Sequence, residues 1–495
     1  MGLFCALIGQ GASLRSSHIA SFAVAMALNY LLKVRSTVVA RGRGGDLRLH
    51  GRLIILSLMA LFLRGGVLGL LAQDWGWRPQ VAIVFAVLAG LTVTLPGYAA
   101  VLSAAQGNAR ARALAVGLIA YGLALRLVYS GSVELLPEEA YYWNYSRHLD
   151  IGYLDHPPMV AWLIRLGTAL FGQSEFGVRA PALGCAAIAS VFTYRLTRNL
   201  FGEPSALAAL LLAQVLPYFF LSGLLMTPDA PLVAAWAASL YYLERALVAG
   251  LIGSWWRAGL ALGIGGLSKY SIGLLVPVTI LFMLWDPRAR SNWRRWQPYA
   301  AALLALAVFS PVIVWNAQHD WASFVFQTSR RLAEAPRFAL HKLLASALIL
   351  ITPTGVLAIA AAFTGARPDN GPAGDMRRRW LFLGIAIGLP LAVFAIFSLR
   401  HEVKLDWTGA PWLAALPAMA AGMSGVETST RGFAARVGAA WLPTAVTLLL
   451  IYGAGLHYLV LGLPGLGYGA HIELVPVAWR DLSRRVAAAT QAIHQ

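Results

Sequence analysis

Long apolar stretches recur from residue 17 to residue 462, several of them about twenty residues long, the length that crosses the hydrocarbon core of a bilayer. In that core a backbone must satisfy its own N–H and C=O groups, which leaves only helices and closed β-barrels. The runs show no apolar–polar alternation, so a barrel is excluded. Composition agrees: 12% of residues are charged and mean hydropathy is +0.66, whereas soluble domains carry roughly a quarter charged residues. The expected fold class is an all-α polytopic membrane protein. Candidate segments fall at 17–33, 52–73, 80–104, 113–131, 159–172, 177–200, 204–222, 230–249, 257–268, 271–285, 297–315, 340–363, 380–398, 411–424 and 437–462. Some are too short to cross alone.

The net charge of +18 would suit a nucleic-acid partner in a soluble protein. In a membrane chain, excess Lys and Arg marks cytoplasmic loops instead, and no nucleic acid is expected. Basic clusters stand at Lys33 to Arg52, Arg110/Arg112, Arg195/Arg198, Arg245/Arg257, Arg288 to Arg295, Arg367 to Arg379 and Arg431/Arg436. Threading the segments alternately puts all of them on one side, provided 159–172 does not cross. The loops 132–158, 223–229, 268–270, 316–338 and 399–410 then share the opposite side, and they hold nearly every distinctive polar residue. Cys5 and Cys185 lie far apart in apolar runs and suggest neither a disulfide framework nor a metal site. The apolar N-terminus lacks a basic n-region and a small-residue cleavage site, so no cleaved signal peptide is expected.

The most polar of these loops runs from Glu134 to Met159, ELLPEEAYYWNYSRHLDIGYLDHPPM. Pro137 can open a helix, because its missing N–H would have no partner in a first turn. Glu138 and Glu139 then occupy that turn, where the helix dipole favours negative charge. A solvated loop whose acids merely face water is the plain alternative. Lys269, in the break Ser268-Lys269-Tyr270, stands in an apolar context where a cation is costly and suggests function. Asp229 follows proline at the start of a segment, where an aspartate is commonly a cap. Arg126, near the outer end of its segment, is expected to snorkel to the interface.

The run PEEAYYWNYSRHLDIGYLDHPPMVAWLIRLGTALFG resembles the first extracytoplasmic loop of the protein-mannosyltransferase and aminoarabinose-transferase-like glycosyltransferases, which have the GT-C fold. Four later segments resemble the same family in order: MTPDAPL (226–232), GLSKYSIGLLVP (266–277), WNAQHDWASFVFQ (315–327) and HEVKLDWTG (401–409). Together they cover roughly residues 111–420. The passage SFAVAMALNYLLKVRSTV near the N-terminus resembles the GtrA-like family of small four-helix membrane proteins, linked to moving polyprenyl-phosphate sugars across membranes. An ordinary helical anchor is the alternative there. The implied organisation is a GtrA-like unit over 1–108 and a GT-C glycosyltransferase unit over 109–495.

The resemblance implies transfer of a sugar from a polyprenyl-phosphate donor to a lipid, glycan or protein acceptor, outside the bacterial inner membrane. Its first-loop pattern is an Asp-Glu pair, and Glu138-Glu139 stands there instead. Glu138 is therefore the leading candidate to take or orient the acceptor's proton, with Glu139 the second and Asp229 a further acid. The developing phosphate needs fixed positive charge, for which Lys269, Lys404 and His156 are candidates. His156 follows Asp155 where relatives carry an acid followed by lysine. Tyr141, Tyr142, Asp155 and His401 are candidates for substrate contact, although aromatics also populate every membrane interface. Asp155 and His319 match positions that bind zinc in some relatives. No cofactor is required by the sequence, and a divalent metal (Zn, Mg or Mn) is left open. A flippase for lipid-linked sugars is the alternative function. Against it, no internal repeat of the kind common in transporters is visible.

Overall fold

The computed structural model describes residues 1–41, 47–102, 108–329, 335–365, 375–424, 432–466, 477 and 479–494. Arg43, within the Lys33 to Arg52 cluster, and Arg367 and Arg431 lie outside the described residues. Among the described residues the regular structure is helical, and the one β-bridge is an isolated Leu463–Leu466 pair. Eight helices there are long and apolar enough to cross a membrane.

The chain divides into two compact units, residues 1–140 with 173–176 and 446–495, and residues 141–172 with 177–445. This grouping is one of packing, whereas the division at 108/109 rests on sequence resemblance. The first unit contains α1 (Gly2–Gly9), α2 (Leu14–Arg41), α3 (Leu47–Gly69), α4 (Pro79–Leu102) and α5 (Asn108–Tyr129). It also holds most of the long helix Phe433–Leu461 and the amphipathic helix Trp479–His494. Phe4, Leu68, Leu71, Ala82, Ile83 and Ala86 form a local core. Arg126, on α5, does not snorkel: it is fully buried and interacts with Tyr452. A long aliphatic stem near a helix end can reach water, but here the neighbouring helices close over it.

The second unit is built around α11 (Asp229–Leu247), whose side chains are buried along almost its whole length, with Trp236 wholly enclosed. Around it stand α7 (Met159–Phe171), α8 (Glu175–Phe201), α9 (Glu203–Val215), α10 (Pro217–Ser222), α12 (Ser254–Gly266), α13 (Leu275–Trp285), α14 (Gln297–Gln318) and α15 (Ala322–Gln327). The helices Leu340–Gly365 (α16), Asp375–Ser398 (α17) and Ala415–Ser424 (α18) complete it. The helix α6 (Pro137–Arg147) passes from the first unit to the second. At 13 residues, α7 is about 20 Å long, too short to cross a bilayer on its own.

Sequence chemistry sets the breaks. The expected segment 204–222 is two helices, because Leu216 precedes Pro217 and adopts extended backbone (ψ 138°). In α16 the Thr352-Pro353 pair interrupts the helix at Thr352 (φ 67°). Thr352 Oγ1 accepts from Gly355 N at 3.3 Å, so it caps the second half, with proline at its first position. The break at Lys269 is also present: α12 ends at Gly266 and Lys269 is extended before a 3₁₀ turn over Tyr270–Leu274. At the other end of α11, Arg378 donates to the carbonyls of Leu247 (2.7 Å) and Val248 (2.8 Å) while pairing with buried Asp286 at 2.7 Å. Two of the carbonyls left open at this helix end are met by this one guanidinium, while that of Arg245 accepts from Leu251 N. Arg379 similarly donates to the Leu200 carbonyl at 2.7 Å.

Candidate active site

Three sequence-remote segments of the second unit meet around one ammonium group. Lys269 Nζ lies 3.0 and 3.2 Å from the two carboxylate oxygens of Asp229 and 2.8 Å from Asp406 Oδ2. The Lys269 and Asp229 side chains are 14% and 12% exposed, while Asp406 keeps 41% of its side chain open. Tyr218 donates its hydroxyl to Asp229 Oδ1 at 3.1 Å. Its ring lies against the backbone of Gly409, where an added Cβ would sit 1.9 Å from a ring carbon. The glycine of the segment HEVKLDWTG is thus what lets Tyr218 reach Asp229.

The charges are not balanced by number, since two carboxylates share one cation. Burial pushes the Asp229 carboxyl up to about 6, with Lys269 opposing and Asp406 reinforcing the rise. Burial alone would depress the Lys269 ammonium, yet the two aspartates outweigh it and hold it above the ordinary lysine range. Asp406 stays below the usual carboxylate range: desolvation works against this, and Lys269 prevails. The cluster holds a proton at one carboxylate more tightly than at the other. Asp406 escaped the sequence reading although it lies two residues after Lys404. Its signal was present, an acid in the same motif, but only the fold reveals that Lys269 needs a second partner.

A second group lies on α6 and the loop after it. Tyr145 donates to Asp155 Oδ1 at 2.7 Å, and its hydroxyl meets that of Tyr141. Tyr145 stacks on Tyr153 with centroids 4.1 Å apart, and Tyr142 meets the His156 ring edge-on at 5.8 Å. Tyr141 is 46% exposed, so the chain of two phenols and a carboxylate opens to the surface. Gln327 donates to the Asp155 carbonyl, which ties α15 to this loop. Asp150 Oδ2 accepts from Trp315 Nε1 at 3.0 Å.

The remaining candidates separate by what they touch. Glu139 is fully buried, and its carboxylate accepts from the Leu136 N–H at 3.1 Å. This is the return half of a capping box, in which an acid three residues into a helix satisfies the residue before it. Glu138, next to it, is exposed. Both belong to the first unit, and the ion cluster to the second. Lys404 is exposed and its side chain has no hydrogen bond or ion pair among the described residues. His401 stacks obliquely on Phe397 at 5.0 Å. His319 lies flat on Trp315 at 4.1 Å, and its Nδ1 donates to the Trp315 carbonyl at 2.8 Å. His319 Nε2 and Asp155 offer two donor atoms for a metal, where a closed site uses about four. Among the described residues no group of three or more His, Cys, Asp or Glu is placed to hold a metal ion.

Residues 155–315 match the family described as dolichyl-phosphate-mannose-protein mannosyltransferase. Among curated proteins, the undecaprenyl phosphate-alpha-4-amino-4-deoxy-L-arabinose arabinosyl transferase of Pseudomonas aeruginosa is 32% identical over 42% of this chain and 42% of its own length. The lipid A galacturonosyltransferase RgtD of Rhizobium johnstonii is 30% identical over 38% of this chain and 40% of its own. The chain thus spans about two fifths of the length of these relatives. Among solved structures, ArnT from Cupriavidus metallidurans in the apo state covers 74% of this chain and 78% of its own, at 17% identity and a TM-score of 0.52. The same protein bound to undecaprenyl phosphate gives 16% identity and a TM-score of 0.52, covering 70% of this chain. The fold is the GT-C type found in those structures, as the five sequence segments implied.

Proposed function

We propose that this chain is a membrane glycosyltransferase that moves a sugar from a polyprenyl-phosphate donor to a lipid or glycan hydroxyl, on the periplasmic side of a bacterial inner membrane. The observation that carries the reading is the Asp229–Lys269–Asp406 cluster, assembled from three of the family-like segments within a GT-C fold. The names of the matched relatives, all transferases, favour this over a flippase. Residues 1–108 would serve as a separate GtrA-like membrane module.

In this reading the bond between the anomeric carbon and the donor's phosphate oxygen breaks as the acceptor oxygen bonds to that carbon from the opposite side. The configuration would therefore invert. Glu138 takes the acceptor's proton, since its carboxylate is exposed while that of Glu139 is committed to the helix start. Lys404 and His156 meet the departing phosphate. Lys269, already matched by two carboxylates, holds Asp229 in place to orient a substrate hydroxyl, in preference to the phosphate contact expected from its sequence context. The Tyr141–Tyr145–Asp155 chain offers a surface for the sugar.

The test is transfer by the purified protein in detergent, with labelled polyprenyl-phosphate sugars and a bacterial lipid extract as acceptor. Glu138→Gln should abolish labelled product while folding normally, and Glu139→Gln should keep most of it. Transfer that survives Glu138→Gln removes the assigned base. No transfer from any donor, with donor movement across liposomes instead, would replace the transferase by a flippase.

A further inference from the structure

The helix Trp479–His494 has two unlike sides, and the proposed reaction makes no use of it. Trp479, Leu482, Val486 and Ala489 follow one another at spacings of three and four, which places them within about 80° of one another around the helix axis. Arg484 stands opposite the centre of this stripe and Ala488 lies near Arg484, while Arg485 stands at the edge of the stripe. Trp479, Leu482 and Val486 are 41%, 51% and 56% exposed, and residues 482–491 are exposed without a break.

A helix of 16 residues is marginal in water by itself, and an apolar stripe left in water does nothing to strengthen it. A bilayer surface supplies what is missing, because the helix then forms with its stripe buried among acyl chains. At about 24 Å the helix is shorter than the roughly 30 Å hydrocarbon core. With Arg484 and Arg485 near its middle, it suits the plane of the interface and not a crossing.

A neighbouring span fixes where this helix starts. The Trp479 N–H donates to Glu134 Oε2 at 2.6 Å. Glu134 stands five residues past Tyr129, where a segment long and apolar enough to cross a bilayer ends. Five residues reach at most about 18 Å, so the first turn of Trp479–His494 is held near the bilayer face at which α5 ends. The contact suits both partners: the first N–H groups of a helix have no acceptor inside it, and a carboxylate favours the positive end of its dipole. Trp479 occupies that end, and tryptophan settles at the level of lipid head groups. Glu134, α5 and Trp479–His494 all belong to the first unit.

We propose that Trp479–His494 is an in-plane membrane anchor, whose partner is the lipid surface on the side of Glu134. The stripe from Trp479 to Ala489 enters the boundary between head groups and acyl chains. Arg485, at the edge of the stripe, lays its stem along that boundary and presents its guanidinium to lipid phosphates, and Arg484 faces water. Held in this way, the helix keeps Glu134, and with it the approach to α6, at the level of the head groups. The inference does not depend on which group the chain transfers.

The test uses the full chain in phosphatidylcholine nanodiscs, carrying one environment-sensitive NBD label on an introduced cysteine. Leu482→Cys and Val486→Cys report on the stripe, Arg484→Cys and Ala488→Cys on the opposite side. Cys185 is buried, so Cys5→Ser is made in every variant and the signal of the unlabelled-site parent is subtracted. Labels at 482 and 486 should emit to the blue of those at 484 and 488. Lipids bearing a doxyl quencher high on the acyl chain should quench them about threefold more strongly. Equal quenching at all four positions would overturn the anchor. Blue-shifted emission at 482 and 486 that doxyl lipids leave unquenched would put a protein surface, such as a second copy of this chain, over the stripe and would overturn it as well. Sugar transfer is assayed separately, so failure of the anchor and failure of the transferase reading are told apart.

Discussion

Replacing Lys269 with methionine is the sharpest test of the ion cluster. The substitution keeps the length of the side chain and deletes the charge that two aspartates share. At an effective dielectric constant of 20, an ammonium 3.0 Å from a carboxylate is attracted by roughly 5–6 kcal/mol. Much of this is offset by the desolvation of both groups, and the net penalty for stripping one partner from a buried pair is about 3–5 kcal/mol. Asp406, with 41% of its side chain open, can turn to water and adds little. The loss therefore falls on Asp229, and about 3 kcal/mol is expected. Asp229→Asn alone should cost less, because its amide oxygen still accepts from Lys269. In the double variant the orphaned carboxylate is gone, so much of the loss should return, a coupling of about 2 kcal/mol. Equilibrium unfolding in mixed dodecyl maltoside and SDS micelles, followed by tryptophan fluorescence, measures all four corners of the cycle. A Lys269→Met protein as stable as the intact one, or a double variant worse than either single, would refute the argument.

Other outcomes follow from the same geometry. Glu139→Ala removes the capping-box acceptor for Leu136 N and should cost about 1 kcal/mol, whereas Glu138→Ala should leave unfolding unchanged. Arg378→Gln orphans Asp286, 3% exposed, and should cost about 3–5 kcal/mol. Arg378→Gln/Asp286→Asn should recover part of that in the same micelle titration. Asp229, raised to about 6 in the folded protein from about 3.9 unfolded, binds its proton more tightly when folded. Its contribution to stability should therefore grow as pH falls from about 6 towards 4, the reverse of an ordinary ion-paired aspartate such as Asp406. Infrared difference titration should show a protonated-carboxyl band with a midpoint near 6 that Asp229→Asn removes; a midpoint near 4 would contradict the burial argument.

Much of the fold was legible because bilayer-length apolar runs leave the backbone few choices. The prolines at 217 and 353 mark breaks, of which only the wider pattern of short segments was foreseen. In the sequence Asp229 stands out as an acid after proline at a segment start and Lys269 as a cation in apolar surroundings, yet their partnership spans 40 residues and that with Asp406 spans 137. No local pattern encodes such a pairing. The same limit explains Arg126, whose place near a helix end reads as snorkelling until the neighbouring helices are placed. It also explains Arg378 and Arg379, which read as a charge bias between loops and prove to be donors to specific carbonyls. That Glu139 caps α6 while Glu138 stays open needed the helix start itself, since adjacent acids look alike until one of them caps.

The Arg378 contacts also impose an order on biosynthesis. Asp286 is made 92 residues before its partner, and the last carbonyls of α11 precede it by about 130. At a synthesis rate of roughly 5–20 residues per second, Asp286 waits about 5–20 s for its guanidinium. Through that interval the buried core around α11 is open at one end, and the carboxylate must stay in water. The second unit therefore closes late, once Asp375–Ser398 has been delivered. A nascent chain stalled before residue 378 would present an unsealed helix end and an unpaired acid to whatever quality-control machinery surveys the membrane.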